Sequence, residues 1–191
     1  MKKIIAVCFA FSLFFGGHAL AQDAETAKKI DPNLPKEDIT KEERIGSWRL
    51  ICAKSNKDGQ IGPERCITHQ TIVITDERVE GNPPILDVKL QIDPSDAVKK
   101  RKVMIIRTPL GMMLPYGVRI SVDGQEKGSA KFTTCLPTVL GCHAVVEVTS
   151  DLLAAFKKGS EAVFQYADVN RQAAPVKIKL DGFTKSVNMI K

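Results

Sequence analysis

The stretch GVRISVDG, residues 117–124, decides the fold class because its side chains alternate between apolar and polar. Val118, Ile120 and Val122 fall on one side of an extended chain, and the residues between them are polar. The Asp-Gly pair that ends the stretch favours a tight turn. We therefore predict a β-strand with one face in a hydrophobic core.

The same pattern recurs along the chain from residue 45 onward. PVKIKLDG, residues 175–182, repeats it closely, and six other short runs are rich in β-branched residues and bounded by turn-forming residues. These runs are SWRLICA (47–53), CITHQTIVIT (66–75), ILDVKLQI (85–92), KVMIIRT (102–108), AVVEVT (144–149) and AVFQYADV (162–169). Short strands at this spacing predict an all-β sandwich or barrel. One short helix is predicted over SDLLAAFKKG (150–159), where Ser150 or Asp151 would cap the N-terminus.

The N-terminus has the three parts of a secretory signal peptide. A positive MKK is followed by the apolar run IIAVCFAFSLFF (residues 4–15) and by the small-residue cleavage site ALA (19–21). As a helix this run would be about 18 Å long, too short for the roughly 30 Å hydrocarbon core of a bilayer. We predict that residues 1–21 are a signal peptide and that the mature chain, from Gln22, is exported and has no membrane span.

Residues 22–44 carry twelve charged side chains and no large apolar cluster. This composition buries too little apolar surface to offset the entropy of ordering the chain. We predict a flexible charged tether, with at most a short helix over KEDITKEER. A single β domain would then follow over residues 45–191.

The chain is basic. Its formal net charge is +6, and loss of Lys2 and Lys3 with the signal peptide leaves 26 basic against 22 acidic residues, a net charge of +4. The densest basic run, and the candidate contact with a partner, is Lys99, Lys100, Arg101 and Lys102. Such a run is usually a solvated loop, which is the favoured interpretation. As a contact region it would suit an anionic envelope component or host-cell surface, and it lacks the interleaved aromatic residues of a nucleic-acid site. Met112, Met113 and Tyr116 form a second candidate surface, although core packing is the favoured interpretation of these residues.

Four cysteines remain after the signal peptide: Cys52, Cys66, Cys135 and Cys142. An even number in an exported protein favours disulfides, and three pairings are possible. The spacings match neither the C-x-x-C of thiol oxidoreductases nor the close pairs of structural zinc sites. Cys135 and Cys142 flank the turn of a predicted hairpin, where opposed Cα atoms lie within disulfide range. We favour Cys135–Cys142 and, by closure of a polar loop, Cys52–Cys66.

The sequence contains none of the common catalytic or phosphate-binding motifs, such as G-x-S-x-G, H-E-x-x-H or G-x-x-x-x-G-K-[ST]. Cys142 and His143 are adjacent strand residues and point to opposite faces, and so do Cys66 and His69, which are three positions apart. We therefore predict no catalytic residue, no cofactor, no metal and no enzymatic activity. A site assembled from distant residues would leave no such motif.

Several short segments, taken in order, resemble one known family. They are IGSWRLIC (45–52), LPYGVRISVDG (114–124), KFTTC and GCHA within 131–144, LLAAFKKG (152–159) and LDGF (180–183). Together they resemble the invasion-associated locus B family of alphaproteobacterial exported proteins, and Trp48, Gly117 and the four cysteines lie where the family's pattern has them. The resemblance implies an immunoglobulin-like β-sandwich over residues 45–191 and export to the periplasm or outer membrane. In pathogenic Bartonella-like bacteria it also implies a contribution to erythrocyte invasion.

These observations predict an exported, disulfide-stapled binding protein of the bacterial envelope that acts without chemistry of its own. Its location would be the periplasm, the outer membrane or the exterior, and its partner an envelope component or a host-cell surface. The alternative is a periplasmic structural or chaperone-like envelope protein without a host role. An enzyme is the third interpretation.

Overall fold

The computed structural model describes residues 36–57, 59–75, 81–95, 98–137 and 141–190. The predicted signal peptide and the first part of the predicted tether, residues 22–35, lie outside these described ranges. The described residues form eleven β-strands and two short helices.

The strands and helices occur in the following order. The strands are β1 Lys36–Ile45, β2 Trp48–Lys57, β3 Gln60–Val73, β4 Pro84–Ile92, β5 Lys102–Thr108, β6 Val118–Val122, β7 Gln125–Ala130, β8 Phe132–Leu136, β9 Gly141–Glu147, β10 Glu161–Ala167 and β11 Ala173–Lys179. The helices are α1 Ser150–Lys158 and α2 Phe183–Val187, and a 3₁₀ turn covers Leu114–Tyr116. All eight predicted strands are confirmed, and β8 is the first arm, KFTTC, of the predicted hairpin. Strands β1 and β7 and helix α2 were not predicted.

Two antiparallel sheets form the layers of the fold. The larger has the strand order β1-β2-β3-β4-β5-β9-β8, and the smaller has the order β11-β10-β6-β7. One face of each sheet is buried: Val118, Ile120 and Val122 of β6 are nearly inaccessible to solvent, as are Val88 and Leu90 of β4. These five side chains, from both sheets, belong to one hydrophobic cluster. The predicted all-β sandwich is confirmed.

Trp48 links the two layers near the start of β2. It is completely buried, and its indole N–H donates a hydrogen bond to the Lys179 carbonyl at the end of β11 (3.0 Å). Its ring meets Phe183 of α2 edge to face, with centroids 5.0 Å apart, and Phe183 in turn contacts Phe156 of α1 at 5.2 Å. The two helices therefore contribute aromatic side chains to the core between the sheets.

Helix α1 forms where the sequence predicts it, but its cap differs. Thr149, rather than Ser150 or Asp151, is the N-cap, and its hydroxyl accepts a hydrogen bond from the Leu152 N–H (3.3 Å). Leu152 and Phe156 are the buried residues, one turn apart on the same face. Lys157 and Lys158 lie in the last turn, where cations interact favourably with the helix dipole.

The prediction of a tether over residues 36–44 is wrong, since these residues form most of β1 and pair with β2. A two-residue loop, Gly46-Ser47, joins the two strands and places Ile45 opposite Trp48. Gly46 has a φ of 60°, and a Cβ atom there would lie 2.6 Å from the Asp181 carbonyl oxygen. The charged composition is compatible with a strand because β1 is an edge strand. Its order comes from backbone hydrogen bonds and cross-strand pairs rather than from burial.

Both disulfides favoured by the sequence are present. Cys52 and Cys66 are directly opposed on β2 and β3, and Cys135 and Cys142 are directly opposed on β8 and β9. The first bridge is buried in a small second cluster with Ile45 and Leu50. Each bridge therefore joins neighbouring strands of the larger sheet.

Candidate functional site

The predicted basic run lies at one end of the larger sheet, in the turn between β4 and β5. The Asp93 N–H donates a hydrogen bond to the Arg101 carbonyl (2.8 Å), which closes the turn. The guanidinium of Arg101 lies 3.4 Å from carboxylate oxygens of both Asp93 and Glu147. Lys99 and Lys100 are exposed, and Lys102 begins β5. The run thus forms an exposed turn in which two acidic residues share the charge of Arg101.

The second candidate surface, around Met112, Met113 and Tyr116, is only partly available. All three residues are half-buried, and Met112 packs against the main hydrophobic core. The Met113 N–H donates to the Ala167 carbonyl (2.8 Å). The Tyr116 ring lies 5.2 Å from the guanidinium carbon of Arg119. Core packing therefore accounts for Met112.

The outer face of the larger sheet carries a cluster that the sequence did not predict: His69, Asp87, Arg107 and His143. Asp87 on β4 is opposed by Arg107 on β5, which is opposed by His143 on β9. The His69 Nδ1 lies 3.5 Å from one Asp87 oxygen, and an Arg107 Nη lies 3.7 Å from the other. The Thr71 hydroxyl donates to Asp87 at 2.8 Å. Four strands thus bring together three basic or imidazole groups around one carboxylate.

The pKa of Asp87 lies below its usual value. Burial acts to raise this pKa, but hydrogen bonds from His69 and Thr71, together with the electrostatic effects of His69 and Arg107, outweigh it. The carboxylate is therefore ionised and organises the groups around it.

The pKa of His143 is also lowered. Burial is the largest cause, and the positive charges of Arg107 and Lys89 add to it, while Asp87 opposes them. The neutral form of this imidazole is favoured because cations surround it.

A row of basic side chains crosses the same outer face beside this cluster. Arg44 on β1 is opposed by Arg49 on β2, Arg49 by His69 on β3, and His69 by Lys89 on β4. We call these four residues the basic row. Its β1 end borders a shallow pocket of about 330 Å³, which is lined by Arg44, Ser47, Trp48, Arg49, His69, Gln70 and Thr71.

The chemistry of these groups does not match a Ser-His-Asp type of active site. The contact between His69 and Asp87 provides an imidazole and a carboxylate, but the nearby Thr71 hydroxyl binds the carboxylate instead of the imidazole. Within the described ranges, one set of three residues has the spacing of metal ligands: Cys52, Glu64 and Cys66. Its two sulfur atoms are bonded to each other, so they are not thiolate ligands.

Residues 48–191 match the sequence profile of the Invasion associated locus B (IalB) protein family. The chain belongs to the invasion associated locus B family. A solved structure, the crystal structure of invasion associated protein b from Bartonella henselae, is similar with a TM-score of 0.59 and 18% sequence identity. The similarity covers 78% of this chain and 93% of that chain, and at this identity it supports the fold alone. No curated protein matches the sequence.

The IalB match begins at Trp48, so it includes three members of the basic row, Arg49, His69 and Lys89, and excludes Arg44 on β1. Among the residues that the structure describes, no helix is long and apolar enough to cross a membrane.

Neither the cluster nor the basic row of this IalB protein was found from the sequence. The period-two pattern correctly places His69 and Cys66 on opposite faces of β3. It does not say which strands are neighbours, and the row exists only because β1 to β4 pair in sequence order. The run of turn-joined strands was the signal that could have suggested this order, since consecutive short-linked strands usually pair.

Proposed function

We propose that this protein is an exported, disulfide-stapled binding protein of the bacterial envelope that contributes to the invasion of host cells, erythrocytes in particular. The observation that carries the proposal is the family match, which covers nearly the whole sandwich from Trp48 onward. Two disulfides within one β domain support an oxidising compartment, because such bonds are rare in the bacterial cytosol. The proposed location is the periplasm, the outer membrane or the exterior.

The proposed mode of action is contact, without catalysis and without a metal or cofactor. The half-buried groups of the outer face support this proposal because they bind one another. Asp87 contacts His69, Thr71 and Arg107, which leaves the imidazole–carboxylate pair without an attached nucleophile. A rigid sheet with charged side chains on its outer face is suited to recognition of a complementary surface.

The partner is proposed to be an anionic envelope component or an anionic host-cell surface rather than nucleic acid. Lys99, Lys100, Arg101 and Lys102 remain a proposed contact region, since they lie in an exposed turn at the end of the larger sheet. Arg101 is the weakest candidate among them because Asp93 and Glu147 already hold its guanidinium.

One observation favours a second candidate function, that of a periplasmic structural or chaperone-like envelope protein without a host role. Strand β1 is an edge strand of the larger sheet. An edge strand presents backbone N–H and C=O groups that can pair with a strand of another chain.

Deletion of the gene, followed by complementation with the wild-type protein, distinguishes the two functions. We expect the deletion strain to invade erythrocytes poorly, to retain normal resistance to detergents, and to recover invasion on complementation. A strain that is sensitive to detergents and invades normally would instead support the envelope role and contradict the proposed function.

A further inference from the structure

The basic row is unusual because cationic side chains oppose one another across neighbouring strands. Arg44 opposes Arg49, and His69 lies between Arg49 and Lys89. Neighbouring strands are about 4.8 Å apart, so the four side chains span about 14 Å of the sheet surface. Arg44, Arg49 and His69 share a face because directly opposed residues of antiparallel strands point to the same side of the sheet. Lys89 lies on that face too, since it alternates with buried Val88 and Leu90.

Like charges that are directly opposed destabilise a sheet, and the neighbouring carboxylates compensate only part of the row. Glu42 lies 3.2 Å from Arg49, and Asp87 contacts His69. Arg44 donates from Nε to the Gly46 carbonyl (3.3 Å), and neither Arg44 nor Lys89 has a carboxylate within ion-pair distance in the described part of the chain. Positive charge is thus uncompensated at both ends of the row.

His69 adds a second, independent observation. Its Nε2 is buried and has no hydrogen-bond partner among the described residues, whereas most buried polar atoms in folded proteins have one. When the ring is protonated, Nδ1 faces Asp87 and the Nε2–H requires an acceptor. This atom is closed to solvent in the structure, so an anionic oxygen in the adjoining pocket would reach it only after the His69 ring turned toward that pocket.

We propose that the basic row binds an acidic polysaccharide, with one acidic group in the pocket between Arg44, Arg49 and His69 and the chain continuing toward Lys89. A straight row that carries the cations Arg44, Arg49 and Lys89, with the His69 imidazole between them, is complementary to a linear polyanion. Guanidinium groups bind carboxylate and sulfate groups through paired hydrogen bonds. The pocket volume of about 330 Å³ is at the lower end of the range for small-ligand sites, which suits a single sugar unit.

A lipid surface fits the row less well. The apolar residues beside it, Ile51, Ile67 and Ile105, are half-buried between the strands. They do not protrude as side chains that insert into a bilayer do. The inference deepens the proposed function by naming a face and a class of partner, and it rests on that proposal for its biological setting.

The test uses the mature protein and a fluorescent oligogalacturonate, which has one carboxylate per sugar, with a neutral oligogalactose as the control ligand. The row variant is Arg44→Gln/Arg49→Gln/Lys89→Gln. The matched variant, Lys127→Gln/Lys131→Gln/Lys158→Gln, loses three positive charges at exposed positions outside both the basic row and the predicted basic run. Thermal unfolding of both variants controls for folding.

We expect the wild-type protein to bind the acidic oligomer and not the neutral one. The row variant should lose about tenfold in affinity, since three exposed charge contacts each contribute a modest free energy, while the matched variant should stay within about twofold of wild type. Glu42→Gln should strengthen binding because it removes the carboxylate beside Arg49.

Equal losses in the two triple variants would overturn the inference, because net charge alone would then explain binding. Row-dependent binding to phosphatidylglycerol vesicles without binding to the oligogalacturonate would overturn it as well. If the oligomer binds through the row while a strain that carries the row variant invades erythrocytes normally, the inference stands and the proposed invasion function fails.

Discussion

His143 lies on the outer face of β9, opposite Arg107 and close enough to Lys89 for both cations to act on its ring. Its direction was predictable, because adjacent strand residues alternate and Cys142 points to the opposite face. Its neighbours were not predictable, since Lys89 and Arg107 come from strands whose position depends on the order of the sheet. A sequence pattern therefore assigns a face to a residue, while pairing of the strands assigns its electrostatic environment.

The lowered pKa of His143 leads to a prediction about charge. Burial and the charges of Arg107 and Lys89 disfavour the protonated ring, so Lys89→Gln should raise the pKa of His143 and Asp87→Asn should lower it further. An NMR titration of the imidazole protons measures both shifts, and a His69→Gln variant assigns the signals because residues 22–191 contain only two histidines. An unchanged His143 pKa in both variants would contradict the proposed electrostatic coupling.

The lowered pKa of His143 also determines the direction in which the stability of the protein changes with pH. Because the folded-state pKa of His143 lies below the unfolded value of about 6.5, the folded state binds fewer protons. The free energy of unfolding should therefore fall as the pH drops below that value, down to the folded-state pKa. Asp87, whose pKa is also lowered, should add a further loss in more acidic solution.

At the scale of elements, a comparison of β1 with β6 shows why the sequence predicted β6 and missed β1. β6 buries Val118, Ile120 and Val122, so its hydrophobic period is visible in the sequence. In β1 the charged side chains are largely exposed and only Ile45, at its end, is buried. The composition of this strand therefore resembles that of a flexible tether. The signal for β1 lay in the two-residue Gly46-Ser47 loop, which is typical of a β-hairpin.

The two disulfides join neighbouring strands but differ in their surroundings, which gives a prediction about stability. Cys52 and Cys66 are buried and close a loop with a sequence separation of 14, whereas Cys135 is half-buried and the second bridge has a separation of 7. Chain entropy assigns about 3 kcal/mol to the longer loop and about 2.5 kcal/mol to the shorter. Replacement of buried Cys52 and Cys66 by alanine also removes packing contacts, which lowers the free energy of unfolding further.

Cys52→Ala/Cys66→Ala should therefore lower the free energy of unfolding by more than Cys135→Ala/Cys142→Ala does. Urea denaturation without reductant measures the difference, with the fully reduced wild-type protein as the reference for loss of both bridges. The reverse order would show that the buried cluster around Cys52 and Cys66 contributes little to stability.

At the scale of the whole molecule, the sandwich presents charged groups on the outer face of the larger sheet and in the turn that carries the basic run. The sequence predicted the second region because its charges are contiguous in the chain. It did not predict the first region, since the basic row collects single residues from four strands and contacts of that kind appear only when the sheet is assembled. Both regions lead to the same expectation of binding through exposed charges.

Binding of the purified mature protein to intact erythrocytes over a range of salt concentrations tests this account most directly. Exposed charges are screened beyond about 8 Å at physiological ionic strength. We therefore predict saturable binding that weakens steadily as the salt concentration rises. The thermal unfolding temperature should not fall in parallel with this loss of binding. Absence of saturable binding, or binding that is indifferent to salt, to the row variant and to Lys99→Gln/Lys100→Gln/Lys102→Gln, would contradict the claim that the protein acts by electrostatic contact with a cell surface.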